Sequence, residues 1–265
     1  MYRAAWVTDI HLNFVDAAGR SRFCEVLRAA EPDLVLIGGD IGHANSVATF
    51  LAELETAVAR PIAFVLGNHD FYGGSIPAVR AAVAQLARVS RHLTYLSESD
   101  AVQLTPETCV VGHDGWGDAR LGDIERSAVM LNDFMFIAEL ARLRGPALWR
   151  HLNQLGDEAA QHLARVLPAA AAKYRHVLVL THVPPFRASC WHEGTISADD
   201  YLPFFGCRAV GDVLQSVADC YPDCRFTVLC GHTHSPAEAC LRDNLSVWTG
   251  GADYGFPRIE RVVEV

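Results

Sequence analysis

The sequence predicts an α/β fold built on a parallel sheet, and two observations carry this prediction. Short apolar runs of the length of buried strands recur along the chain, and each ends in Gly or Thr beside Asp, Asn or His. Segments with apolar residues at three- and four-residue spacing lie between the first of these runs. Alternating strands and helices are typical of βαβ units, which bind ligands beyond the carboxyl ends of their strands.

The strand-like runs and the helical segments can be assigned in chain order. Five runs have the form of a buried strand with a reactive ending: residues 4–11, 33–40, 64–70, 176–182 and 226–234. Helical spacing marks three segments: 21–30, 46–59 and 76–89. A further strand is expected at 109–118, because its apolar start and its His113-Asp114 ending repeat the same form.

The strand endings supply side chains that can bind metal ions. Residues two apart in an extended segment point the same way, so Asp9 and His11 face one direction, as do His232 and His234. A single buried His is more often a hydrogen-bonded core residue, but packing gives no reason to end strand after strand with Asp or His. The set suits two ions that share a bridging carboxylate, and it comprises Asp9, His11, Asp40, Asn68, His182, His232 and His234.

These endings give the chain a resemblance to a known family, the calcineurin-like metallophosphoesterases. The resemblance consists of five blocks in the family's order: Asp9-Ile10-His11, Gly39-Asp40, Gly67-Asn68-His69-Asp70, His182 and Gly231-His232-Thr233-His234. It implies a four-layered αββα sandwich of two mixed sheets flanked by helices, with the metal site at the strand ends.

The resemblance also implies a role for each matched residue. Asp9, His11 and His234 correspond to ligands of one metal, Asn68, His182 and His232 to ligands of the other, and Asp40 to the bridge. His69 corresponds to the catalytic histidine, which in its protonated form would stabilise the leaving oxygen or give it a proton. Asp70 corresponds to the acidic residue that orients this histidine. The implied activity is hydrolysis of phosphomonoesters or phosphodiesters, nucleotides among them, by attack of a metal-bridging hydroxide.

The expected cofactors are two divalent ions, with Mn or Fe the first choice for this donor set and Zn the alternative. The expected partner is a small phosphoester. One alternative function is a DNA nuclease on the same scaffold, which would need a basic groove, whereas the net charge is −9. A non-catalytic interaction module is the other alternative, although every matched ligand is retained. The natural substrate and the oligomeric state are left open by the sequence.

The composition is that of a globular chain, with 51% apolar and 20% charged residues. The sequence has no signal-peptide pattern and no apolar run of membrane-spanning length, so we expect a cytoplasmic protein without membrane contact. The eight cysteines are then expected as free thiols rather than disulfides.

We expect one domain over 1–265, with a partly helical insertion around 113–165. Apolar spacing predicts helices within about 124–165, and these helices either cover the sheet or help to frame the substrate. Four residues are predicted to contact the substrate: His113, Trp116, Arg120, which would meet a second phosphate, and His192, for which a surface position is the alternative. In the functional reading of the insertion, Asp118, Asn132 and Asp133 help to frame the organic part of the ester.

Overall fold

The computed structural model describes residues 1–265. Thirteen strands and seven α-helices follow one another along the chain. The strands are β1 (Arg3–Val7), β2 (Leu34–Ile37), β3 (Ile62–Phe64), β4 (Leu93–Tyr95), β5 (Val102–Gln103), β6 (Thr108–His113), β7 (His176–Thr181), β8 (Trp191–His192), β9 (Thr195–Ile196), β10 (Arg225–Cys230), β11 (Ala237–Arg242), β12 (Leu245–Thr249) and β13 (Arg261–Glu264). The helices are α1 (Ala17–Ala29), α2 (Val47–Val58), α3 (Ile76–Val89), α4 (Asp133–Phe136), α5 (Gly145–Lys173), α6 (Leu202–Phe205) and α7 (Arg208–Cys220).

Two mixed sheets form the centre of the molecule. The first has the strand order β13-β1-β2-β3-β4, with β1 to β4 parallel and β13 antiparallel to β1. The second has the order β11-β12-β10-β7-β6-β5, in which the four central strands are parallel and both edge strands antiparallel. A separate hairpin pairs β8 with β9.

Three apolar cores separate four layers, because alternate residues of each strand face opposite sides of a sheet. Val35 and Ile37 of β2 pack on helices α1 to α3, whereas Leu34 and Leu36 pack on the second sheet. The outer face of that second sheet packs on α5 and α7. The predicted four-layered α/β sandwich is therefore confirmed, and it belongs to the class in which ligands bind beyond the strand ends.

The predicted helices at 21–30, 46–59 and 76–89 correspond to α1, α2 and α3. The expectation for 124–165 was only partly right, since the chain is irregular from 124 to 132 and helical only in α4 and from Gly145 onward. This irregular stretch and Asp123 before it are bonded to a neighbouring loop: Asp123 donates its N–H to the carbonyl of Asp199, and Ser127 donates its hydroxyl to the carbonyl of Asp200. None of the helices has both the length and the apolar character needed to cross a bilayer.

Candidate metal centre

The carboxyl ends of five parallel strands meet at one edge of the two sheets. β1 leads to Asp9 and His11, β2 to Asp40 and β3 to Asn68 in the first sheet. β7 leads to His182 and β10 to His232 and His234 in the second. All seven predicted ligand residues are thereby brought together, although the first and the last are 225 positions apart in the chain.

The backbone at these strand ends is unusual. Nine non-glycine residues of the chain have a positive φ, and five of them belong to the predicted ligand set: Asp9 at 51°, His11 at 40°, Asp40 at 52°, His232 at 71° and His234 at 58°. Such left-handed conformations cost about 1–3 kcal/mol each and cluster at functional sites. The chain therefore turns its reactive side chains inward through conformations that only the surrounding fold can maintain.

Glycines make room for the two carboxylates. A Cβ atom on Gly67 would lie 2.2 Å from Oδ1 of Asp40, and one on Gly231 would lie 1.9 Å from Oδ2 of Asp9. Both distances are far inside van der Waals contact, so only glycine fits at either position. Glycine is therefore required before Asn68 and before His232 because any side chain there would clash with a carboxylate, whatever the backbone conformation.

The first ligand cluster consists of Asp9, His11, Asp40 and His234, whose ligand atoms all lie within 4.8 Å of one another. The Nε2 atoms of His11 and His234 are 3.2 Å apart. Nε2 of His234 lies 3.4 Å from Oδ1 of Asp9, and Nε2 of His11 lies 3.7 Å from Oδ2 of Asp40. Two carboxylate oxygens and two imidazole nitrogens around one point form a donor set that suits a divalent transition metal.

The second cluster consists of Asn68, His182 and His232. His182 donates Nδ1–H to the carbonyl of Gly38, and His232 donates Nε2–H to the carbonyl of Phe204. In the neutral rings the other nitrogen of each then carries a lone pair. Burial and the neighbouring His182 lower the pKa of His232 to about 3, so that ring is neutral near pH 7.

Three lone pairs therefore face one another in the second cluster. Oδ1 of Asn68 lies 3.1 Å from Nε2 of His182 and 3.0 Å from Nδ1 of His232, and these two nitrogens are 3.3 Å apart. The amide of Asn68 cannot turn round to relieve the contact, because its Nδ2 donates to Asp133. No hydrogen bond satisfies three acceptors in this arrangement, whereas a cation among them satisfies all three.

Asp40 lies between the two clusters. Its Oδ2 faces His11, and its Oδ1 lies 3.5 Å from Nε2 of His182. Burial, and then the negative charge of Asp9, raise the pKa of Asp40 well above its usual value. Burial acts on Asp9 in the same direction, but the imidazoles of His182, His234 and His11 together outweigh burial and hold the pKa of Asp9 low. Bound cations would allow both carboxylates to ionise.

His69 lines the cavity without belonging to either cluster. Its ring stacks on Tyr72 at a centroid distance of 4.3 Å, and its backbone N–H donates to Oδ1 of Asp40 at 2.8 Å. Burial and then His182 lower the pKa of His69 to about 3. The structure therefore favours a neutral His69 rather than the protonated form expected from the sequence, and divalent cations nearby would lower this pKa further.

Asp70 does not orient His69 as predicted. Its carboxylate accepts hydrogen bonds from the backbone N–H groups of Ile41, Gly42 and Gly67. These bonds tie the loop after β2 to the loop after β3, so Asp70 supports the backbone that carries Asp40 and Asn68. The ring of His69 is held by Tyr72 instead.

The centre opens into a cavity of about 320 Å³ lined by thirteen residues. Several of them lie outside the motifs: Tyr72, Leu131, Asn132, Asp133, Phe205 and Tyr254. Asn132 and Asp133 belong to the insertion, and they line the cavity beside which they were expected to frame the ester. Tyr254 follows β12 in a loop that has no motif, and its ring lies 4.6 Å from that of His11.

Of the four residues predicted to contact the substrate, only His192 lines this cavity. His113 is buried at the end of β6 against His162, and Trp116 is buried against Phe71. Arg120 pairs with Asp118 and Asp157, so its charge is already compensated. The structure thus gives His113, Trp116 and Arg120 structural contacts rather than contacts with this cavity.

The geometry of the site agrees with a comparison of the sequence with protein families. The model of the calcineurin-like phosphoesterase family matches residues 2–236, and the chain belongs to this family. It is a binuclear metallophosphoesterase by class, that is, a hydrolase of phosphoester bonds. No curated protein sequence matches the chain.

Solved structures with the same fold are distant in sequence. A phosphopantetheinyl hydrolase from Mycobacterium tuberculosis is 14% identical, with a TM-score of 0.69 over 95% of this chain and 89% of its own. A dimetal phosphatase from Danio rerio is 17% identical, with a TM-score of 0.57 over 98% of this chain and 88% of its own. At such identities the likeness concerns the fold, and substrate preference has to be argued from the cavity.

Proposed function

We propose that this protein is a two-metal phosphodiesterase. The observation that carries the proposal is the second cluster, in which Asn68, His182 and His232 direct three lone pairs at one point. Asp9, His11 and His234 would hold one ion, this cluster would hold the other, and Asp40 would bridge them. Two such ions would polarise a phosphoryl oxygen and supply a hydroxide nucleophile.

The donor set supports Mn or Fe as the resident metals, with Zn as the alternative. The seven side chains offer imidazole, carboxylate and amide donors and no thiolate, a mixture that all three metals accept. Reconstitution of chelator-treated protein with each metal separately, followed by elemental analysis, distinguishes them by occupancy as well as by turnover.

His69 is the residue we assign to the leaving group. Its ring lines the cavity beside both clusters and is fixed by Tyr72. A neutral imidazole can donate one ring N–H to the ester oxygen as negative charge develops there, without needing to be protonated beforehand. The leaving oxygen would then take its proton from solvent.

A diester is favoured over a monoester by the charges that line the cavity. Apart from the metal ligands, these residues include Asp133 and no Lys or Arg. A monoester is a dianion near neutral pH, whereas a diester carries one negative charge, so the diester needs less compensation from cationic side chains. Recognition of a second charge on phosphorus would ordinarily use Arg or Lys.

The proposal is tested with protein reconstituted with each metal. We expect bis-p-nitrophenyl phosphate to be hydrolysed with a higher kcat/KM than p-nitrophenyl phosphate. The Asp40→Ala variant should lose both bound metal and turnover, because it removes a ligand of each ion. A phosphopantetheinyl ester belongs in the same screen, since one solved structure of this fold is a phosphopantetheinyl hydrolase. Wild-type protein that holds two metals and cleaves no ester would contradict the proposal, and cleavage of single-stranded DNA alone would support the nuclease.

A further inference from the structure

Three aromatic side chains stand exposed around the mouth of the metal cavity. Phe14 is 54% exposed, Phe136 is 51% exposed and Tyr254 is 48% exposed. They come from three separate parts of the chain: the turn after β1, helix α4, and the loop between β12 and β13. Exposed aromatic residues that gather at a cavity often mark a binding surface.

Their distances from the metal centre connect them to the cavity. The ring of Tyr254 lies 4.6 Å from His11 and 5.2 Å from His234, and Phe14 lies 4.8 Å from Tyr254. Phe136 lies 5.6 Å from Tyr72, which stacks on His69. Aromatic rings therefore adjoin both the first ligand cluster and His69.

The walls between these rings carry no cationic side chain. None of the thirteen residues that line the cavity is Lys or Arg. Arg258, in the same loop as Tyr254, is paired with Asp253 and Glu260. Arg120, which was predicted to meet a second phosphate, is paired with Asp118 and Asp157. A substrate with additional phosphates would find no free guanidinium here, whereas an uncharged ring or chain would find apolar surface.

We propose that Phe14, Phe136 and Tyr254 form a binding surface for an uncharged apolar substituent of the substrate. The substrate class is then a phosphodiester with a single phosphorus and an aryl or long alkyl group. This inference rests on the proposed function, because it assigns the organic part of the same substrate. Burial of a ring against such a surface is worth about tenfold or more in affinity.

The kinetic test compares methyl p-nitrophenyl phosphate with phenyl p-nitrophenyl phosphate. Both release p-nitrophenol, so they differ only in the second substituent. We expect the wild type to favour the phenyl ester by about tenfold in kcat/KM. Changing all three residues to alanine (Phe14→Ala, Phe136→Ala and Tyr254→Ala) should abolish this preference, measured as the ratio of the two kcat/KM values within the same variant. Val89→Ala removes an apolar side chain that is 72% exposed on α3 and should retain the preference.

A binding measurement keeps this inference separate from the proposed function. Phenylphosphonate and methylphosphonate have no ester bond, so their affinities for the metal-loaded protein are measured by calorimetry without turnover. The wild type should bind phenylphosphonate about tenfold more tightly, and the triple variant should bind the two alike. Failure to cleave any ester would overturn the proposed function, whereas equal affinities in the wild type, or a preference that survives in the triple variant, would overturn the inference.

Discussion

The side-chain amide of Asn68 donates a 2.8 Å hydrogen bond to the buried carboxylate of Asp133. The same carboxylate accepts a 2.6 Å hydrogen bond from the hydroxyl of Tyr72. A strand-end residue of the first sheet is thereby fixed by a residue of the insertion, which leaves Oδ1 of Asn68 facing His182 and His232. The insertion does more than cover the sheet.

We predict that Asp133→Ala weakens metal binding at one of the two positions. Without its partner, the amide of Asn68 can rotate and present a donor where the metal needs an acceptor. Loss of such a supporting hydrogen bond typically lowers metal affinity by about 10–100-fold. Titration with a competing chelator, followed by elemental analysis, should reveal one tightly bound and one weakened ion. Glu125→Ala, at an exposed acidic residue of the same insertion, is the matched control; equal affinities in the two variants would refute a positioning role for Asp133.

A second prediction concerns His69→Ala. The variant should retain two metals per chain, because His69 belongs to neither cluster, while turnover falls by about 100-fold or more. The loss should be greater for an alkyl leaving group than for p-nitrophenol, which needs less stabilisation. His69→Gln retains an N–H donor and should recover part of the activity, and His151→Ala on α5 is the distant control. Loss of metal together with activity would show instead that His69 supports the ligands.

Replacement of Gly67 tests the steric account of the motif. In Gly67→Ala, the new Cβ would lie 2.2 Å from Oδ1 of Asp40 and 2.6 Å from its backbone nitrogen. Overpacking of this kind costs about 1–3 kcal/mol, and it should displace Asp40 and lower the occupancy of both metals. In the control Gly194→Ala, no atom lies within 4 Å of the new Cβ, and the φ of +80° makes that position strained for any side chain. We expect that variant to lose only stability, as measured by denaturant unfolding, and a normal metal content in Gly67→Ala would contradict the steric account.

The pH dependence of stability should include a contribution from Asp114. This buried carboxylate accepts hydrogen bonds from Leu66 N–H, Arg80 and the hydroxyls of Tyr95 and Ser97. Burial alone would raise its pKa, but the charge of Arg80, the neighbouring His113 and the hydrogen bonds to the carboxylate together outweigh burial and lower it. A depressed folded pKa contributes stability above the unfolded value of about 3.9, and this stability is lost as the pH falls through the folded pKa.

We therefore expect Asp114→Asn to lower the free energy of unfolding by about 3–5 kcal/mol at pH 7, since it breaks a buried ion pair. The difference in free energy of unfolding should narrow as the pH falls below about 4, because there the carboxylate takes up a proton in the unfolded state before it does so in the folded protein. Urea unfolding at a series of pH values measures both effects. Asp100→Asn, at a largely exposed partner of Arg165, should change little at any pH. If the difference in free energy of unfolding between Asp114→Asn and the wild type stays constant down to low pH, the charge of Asp114 does not have the proposed role.

The sequence was informative wherever a local pattern determines the structure. The apolar runs before Asp9, Asp40, Asn68, His182 and His232 are strands, and parallel strands bring their carboxyl ends to one edge. The His113-Asp114 ending has the same form but another role, because the partners of Asp114 are supplied by the loop after β3, by α3, and by β4 and the segment after it. Contacts of that kind depend on tertiary packing and leave no trace in the spacing of residues.

Other features of the site lie outside local patterns for the same reason. Asp70 follows His69 in the chain, yet two of its three partners are backbone amides of a loop about thirty residues earlier. Arg120 is neutralised by Asp157 on α5, a helix whose packing the sequence alone does not determine. Tyr254 and Phe136 reach the cavity mouth from segments that carry no motif.

The left-handed backbone at Asp9, His11, Asp40, His232 and His234 has a consequence for protein engineering. A designer who copied these side chains onto another scaffold at the same sequence spacing would not reproduce the centre, because an ordinary loop would relax out of those dihedral angles. The transferable unit is the pair of sheets with its strand ends, including the glycines that admit the carboxylates. Redesign of this enzyme should therefore keep the strand ends fixed and vary the segments around the cavity mouth.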